Sequence, residues 1–80
     1  MSQSLKLTHT LDAIQRECEQ ASEKFPPFNS AHEGLALIME EFEELKAEVW
    51  KKPSERDHDK MMTEAKHLAV MAIRFIVDLA

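Results

Sequence analysis

The chain is poor in the residues that build rigid or reactive features. Its 80 residues include one glycine (Gly34), one cysteine (Cys18), three prolines and no tyrosine. A single thiol excludes an intrachain disulfide, and a single glycine leaves nothing for a Gly-rich phosphate-cradling loop. Basic residues are outnumbered by acidic ones, ten to fifteen, for a formal net charge of -5. That balance works against the counterion release behind nucleic-acid binding, so no nucleic-acid partner and no anionic membrane surface is expected. Long apolar runs are missing as well. The longest, "LAVMAI", is cut by Arg74 and falls far short of the roughly 20 residues that span a bilayer. The opening "MSQSLKLTHT" has no apolar core of signal-peptide length, and these absences together lead us to expect a cytoplasmic protein.

What remains is helical in pattern. The three prolines lie in two breaks, "FPPFN" and "KKPSERD", which divide the chain into three segments. In the first, Leu7, Leu11, Ile14, Cys18, Ala21 and Phe25 recur at spacings of three and four, predicting an amphipathic helix over about residues 8–24. "SAHE" has the form of a capping box built on Ser30 and Glu33, which starts a second helix over about 31–52. "SERD" gives a weaker start to a third, which runs to the C-terminus. Strand-like alternation is absent, so the expected class is all-α, with residues 1–80 forming a single helical domain. A chain this short buries only a modest fraction of its surface, so its core is thin unless a second copy completes it.

The acidic segment "LIMEEFEELKAEVW" holds Glu40, Glu41, Glu43, Glu44 and Glu48. Turning 100° per residue places Ala31, Leu35, Ile38, Phe42, Leu45 and Val49 on a core face. Glu33, Glu40, Glu44 and Glu48 fall on the far side, and Glu43 and Glu48 read as surface residues. Pairs such as Glu40/Glu44 each cost roughly 0.2–0.5 kcal/mol by like-charge repulsion. Glu41 differs, because it borders the apolar face in a row with Gly34, Leu37, Glu44 and Glu48.

In the third helix Met61, Ala65, Leu68, Ala72, Phe75, Ile76 and Leu79 form a wide stripe, with Val70 and Val77 opposite it. Glu64 projects at the stripe's edge, and His67, Arg74 and Asp78 line the same border. A carboxylate among apolar neighbours is expensive unless it meets a cation or a donor. Glu64 is therefore either an ion-pair partner of Arg74 or a lysine, or a metal ligand. Glu41 and Glu44 facing Glu64 would supply hard oxygen donors of the kind Mg²⁺ or Mn²⁺ takes.

At these residues the sequence resembles the MazG-type all-α nucleoside triphosphate pyrophosphohydrolases. "EEFEE" followed by "EAKH" is similar to that family's paired motif, E-x-x-E, a spacer, then E-x-x-D on the next helix. Glu41 and Glu44 match the first pair, and Glu64 matches the first acid of the second. The stretches "FNSAHEGLALIMEEFEELKAEVW" and "EAKHLAVMAIRFIVDL" look like a small, single-domain branch, and the likeness covers most of the chain from Phe25 onward. It implies that Glu41, Glu44 and Glu64 are catalytic metal ligands for Mg²⁺ or Mn²⁺, with Glu40 as a neighbour reaching metal through water. It implies a substrate, a nucleoside triphosphate, hydrolysed between the α and β phosphates to a nucleoside monophosphate and pyrophosphate. It also implies a three-helix chain that completes a helical bundle as a homodimer or homotetramer.

The chain departs from the pattern at His67, which stands where the family carries aspartate. His67 would ligate a softer metal, contact phosphate when protonated, or be an ordinary surface histidine. His32 and Lys51 are candidate phosphate contacts, Trp50 a candidate base-stacking residue or a packing residue against helix one or a partner, and Arg74 a candidate substrate contact. Two other readings stay open. "EAKH" is also the Glu-x-x-His signature of di-iron bundles, in which two other helices each add a glutamate. A helical interaction protein that keeps the fold without the chemistry is the third.

Overall fold

The computed structural model describes residues 2–80. Helix α1 (Gln3–Lys24) is followed by α2 (Ala31–Val49), a single 3-10 turn at Pro53–Glu55, and α3 (His58–Leu79). No strand occurs among the described residues, so the all-α expectation holds.

The boundaries differ from expectation for local reasons. α1 begins about a turn and a half early because the Ser2 hydroxyl accepts from the Leu5 N–H at 3.2 Å and caps it. That first stretch is exposed, so apolar periodicity had no power to reveal it. The Ser30 cap forms, accepting from the Glu33 N–H at 3.1 Å, but the Glu33 carboxylate accepts from the Asn29 side chain at 3.0 Å. Only half of the capping box is therefore built. α2 stops at Val49, short of the expected 52, where the chain turns toward Pro53. "SERD" does open α3, through its last residue: the Asp57 carboxylate accepts from the Lys60 N–H at 3.1 Å, while Ser54 and Glu55 lie in the preceding 3-10 turn.

α3 is the central element. α2 lies against it extensively and α1 more lightly, while α1 and α2 share almost no contact. Gly34 marks the close approach of α2 to α3: a Cβ there would sit 2.6 Å from Cδ2 of Phe75 and 3.0 Å from Cδ2 of Phe28. The two connections are tied from opposite ends of the molecule. Asp78, near the end of α3, accepts from the Phe28 N–H at 3.2 Å, and Glu48, near the end of α2, accepts from the Asp57 N–H at 3.0 Å. Arg56 adds a bond from Nε to the Val49 carbonyl at 2.8 Å.

The expected core faces are only partly buried. On α2 the inward row is Gly34, Leu37, Glu41 and Glu48, whereas Leu35 is 51% exposed and Phe42 and Val49 also face outward. Glu48, expected at the surface, is 1% exposed. The glycine row permits the tightest approach to α3, and that approach turns the richer apolar stripe away. Leu7 and Leu11 of α1 and Phe25 just beyond it are exposed too, leaving Ile14 as that helix's buried residue. On α3, Val70 is buried although it lies away from the main stripe, while Ile76, assigned to the stripe, is 67% exposed. Among the described residues no helix is long and apolar enough to cross a membrane.

The chain measures 40 × 28 × 19 Å with a radius of gyration of 14.0 Å, against about 11.6 Å for a compact domain of this length. It exposes 6039 Å², where a folded monomer of 9.2 kDa ordinarily exposes about 4,900 Å².

Candidate metal centre and adjoining cavity

Glu41 sits midway along α2 on the row that faces α3, and Glu64 and His67, one helical turn apart on α3, meet it. One ligand atom from each of the three lies within 4.8 Å of the others. His67 Nδ1 is 3.8 Å from Glu41 Oε2 and 3.9 Å from Glu64 Oε2, too far for hydrogen bonds. Those two oxygens are buried and have no hydrogen-bond partner among the described residues. The Glu64 side chain is 12% exposed. Leaving such acceptors unsatisfied is costly, and two converging carboxylates add repulsion.

The ionisation equilibria respond accordingly. The Glu64 carboxyl is raised above the usual carboxylate range by its carboxyl–carboxyl contact with Glu44, and then by burial. Burial raises Glu41, with the Glu44 charge next. Glu44, exposed on the outer side of α2, thus acts on both carboxyls from the edge of the cluster; the ligand atoms that converge are those of Glu41, Glu64 and His67. No arginine or lysine forms an ion pair with Glu64 among the described residues. Arg74, one of the candidate partners, has Asp78 as its only carboxylate within 4 Å among the described residues, at 3.9 Å.

A cavity of about 300 Å³ adjoins this cluster and shares Glu41 with it. Its other walls are Phe25, Pro26 and Phe28 from the first connection, Glu33 and Leu37 from α2, and Met71 and Arg74 from α3. Arg74 is 7% exposed. Its guanidinium lies 4.5 Å from the Phe28 ring centroid and 5.8 Å from that of Phe25. Its hydrogen bonds are long, 3.4 Å to the Pro26 carbonyl and 3.8 Å to the Met71 sulfur. A fork of five donors therefore lines the cavity with no short contact to an anion.

The remaining candidates lie elsewhere. Glu40 is on the outer surface, where it borders a shallow depression with Met39, Glu43 and Glu44. His32 borders a separate shallow depression with Leu35, Ile38 and Phe75. Lys51 is engaged with Glu48 Oε1 at 3.0 Å, which places it in the loop staple. Trp50 is 76% exposed and carries Lys46 over its ring at 4.8 Å, rather than packing on α1. Phe28 was not singled out in the sequence and Phe25 was read as core; the only available signal was their position flanking the proline pair of "FPPF".

Two buried, unpartnered carboxylate oxygens and one imidazole nitrogen converging from two helices fit a divalent cation by number and type of donor. Fold and site together define a small all-α chain with a carboxylate–histidine centre beside an aromatic, guanidinium-lined cavity. Compared with protein-family models, curated proteins and solved structures, the chain matches none.

Proposed function

We propose that the protein is a metal-dependent nucleoside triphosphate pyrophosphohydrolase of the MazG-like type, converting a nucleoside triphosphate and water to a nucleoside monophosphate and pyrophosphate. The observation that carries this reading is Glu41, which belongs both to the carboxylate cluster and to the wall of the cavity. A ligand seated in that cavity is held against the acidic cluster. Glu41, Glu44 and Glu64 would hold Mg²⁺ or Mn²⁺, which when bound supplies charge neutralisation at phosphate oxygens and a water of lowered pKa. The Phe25 ring, over half exposed at the cavity mouth, offers a stacking face to a planar base. Arg74, whose contacts to Pro26, Met71 and Asp78 are all long, would exchange them for shorter bonds to an anion such as phosphate. At about 300 Å³ the cavity is at the lower end of small-molecule sites and holds part of a nucleotide rather than all of it.

A second copy of the chain would cover the remainder. The surplus exposed area, about 1,100 Å² beyond the monomer norm, exceeds the roughly 800 Å² per partner of a standard interface. The outward stripe of Leu35, Met39 and Phe42 supports a homodimer or homotetramer built on α2.

The test is pyrophosphate release from a panel of ribo- and deoxynucleoside triphosphates with Mg²⁺ or Mn²⁺. The expected result is metal-dependent release that Glu41→Gln and Glu64→Gln each lower by more than about a hundredfold. Absence of release from folded protein that binds metal would overturn the assignment.

One observation favours a second reading. Glu41 together with the Glu64-x-x-His67 pair is half of the ligand set of a di-iron carboxylate bundle, and two chains would supply the whole. Iron retained at two ions per pair of chains would establish it.

A further inference from the structure

We infer that His67 makes this centre selective for borderline divalent ions, Mn²⁺, Fe²⁺ or Co²⁺, over Mg²⁺. The inference rests on the metal-dependent reading above and refines the identity of the cofactor. Its basis is the direction of the imidazole. His67 is 42% exposed at the side chain, yet its Nδ1 is turned inward, equidistant within 0.1 Å from the two buried carboxylate oxygens at 3.8 and 3.9 Å. It hydrogen-bonds to neither, so no proton fixes it there. Donors about 2.1 Å from a common octahedral ion are about 3.0 Å apart when adjacent and about 4.2 Å apart when opposite. The nitrogen lies 3.8 and 3.9 Å from the two oxygens, and one ligand atom from each residue lies within 4.8 Å of the others, so the three draw inward on one ion. Glu41 Oε2 and Glu64 Oε2 are each buried with no partner among the described residues, and the imidazole nitrogen lies within 4 Å of both.

The chemistry of the donors then decides the ion. Mg²⁺ is hard, prefers oxygen, and keeps its waters reluctantly exchanged. Imidazole nitrogen adds little to its binding. For first-row ions the same nitrogen adds affinity that grows along the series from Mn²⁺ toward Cu²⁺. An oxygen-only cluster of Glu41, Glu44 and Glu64 would discriminate weakly between Mg²⁺ and Mn²⁺, and one inward nitrogen steepens that discrimination.

The experiment is thermal unfolding of the chelator-treated full chain titrated with Mg²⁺, Mn²⁺ or Co²⁺ alone, for the natural protein and for His67→Asp. Pulsed electron paramagnetic resonance of the Mn²⁺-loaded proteins provides a second readout. The expected result is half-maximal stabilisation by Co²⁺ at a concentration at least about tenfold below that for Mg²⁺. In His67→Asp that ratio shrinks at least severalfold, and a ¹⁴N coupling seen in the natural protein disappears. A ratio unchanged in His67→Asp, with no ¹⁴N coupling in the natural protein, would overturn the inference while leaving an all-oxygen metal site standing. No stabilisation by any of the three ions, from protein that is folded, would overturn both this inference and the metal reading beneath it.

Discussion

At the scale of single residues, three glutamates of similar sequence context have opposite fates. Glu48 is buried with every requirement met: one oxygen accepts from the Asp57 N–H, and the other meets Lys51 at 3.0 Å and Lys60 at 4.0 Å. The Asp57 N–H bond, followed by the Lys51 bond, holds its carboxyl below the ordinary 4.5. The stability it contributes is therefore fully present above 4.5 and is lost as pH falls through its folded-state value. We expect Glu48→Ala to lower Tm at neutral pH by roughly 10 °C, and to flatten the fall in Tm that the natural protein shows below pH 4.5. Scanning calorimetry between pH 3 and 7 checks both. Glu41 and Glu64 are shifted the other way, and their contribution is present below 4.5 and lost as pH rises through their folded-state values. Metal-free protein should accordingly gain stability from Glu64→Gln, by roughly 3–6 °C in Tm near neutral pH. An unchanged or lower Tm would mean that the unpartnered oxygens carry no strain.

At the scale of elements, the α2–α3 pair is set by Gly34. Its neighbours Phe75 and Phe28 occupy the space a side chain would take. Gly34→Ala gains about 1 kcal/mol of helix propensity, but forcing a methyl group into a filled contact costs about 1–3 kcal/mol. The expected net effect is a Tm lowered by up to about 10 °C, with Gly34→Val worse; a higher Tm for Gly34→Ala would show that the Phe75 ring moves aside freely. The same contact explains why helical projection misassigned α2. A projection ranks faces by hydrophobicity and finds Leu35, Phe42 and Val49. The structure ranks them by how closely two backbones approach, and a glycine row wins although it carries Glu41 and Glu48. On α3 the stripe expected as core is only half-buried at Met61, Leu68, Phe75 and Leu79 and exposed at Ala65, Ala72 and Ile76, because α1 covers only a narrow strip; of the two valines opposite it, Val70 is buried and Val77 is exposed.

At the scale of the whole molecule, the proposed self-association rests on the exposed apolar stripe of α2 and the open shape. Glutamate at both Leu35 and Phe42 would place charges in the centre of the proposed interface. Such a double variant should elute and scatter light as a monomer while the natural chain does not. A natural chain that is monomeric at high concentration would remove the oligomer from the proposal and leave the cavity open to solvent.

The number of helices, the all-α class and the Ser30 cap were legible in the amino-acid order, and the resemblance paired Glu41 with Glu64 across two helices. The first three depend on interactions within a turn or on spacing along one helix, which the sequence states directly. The burial of Glu48, the retreat of Arg74 from Glu64 to the "FPPF" connection, and the inward turn of His67 were not. They depend on the rotation and separation of α2 against α3, set at Gly34 by contact between residues distant in sequence, and no single helix carries that information.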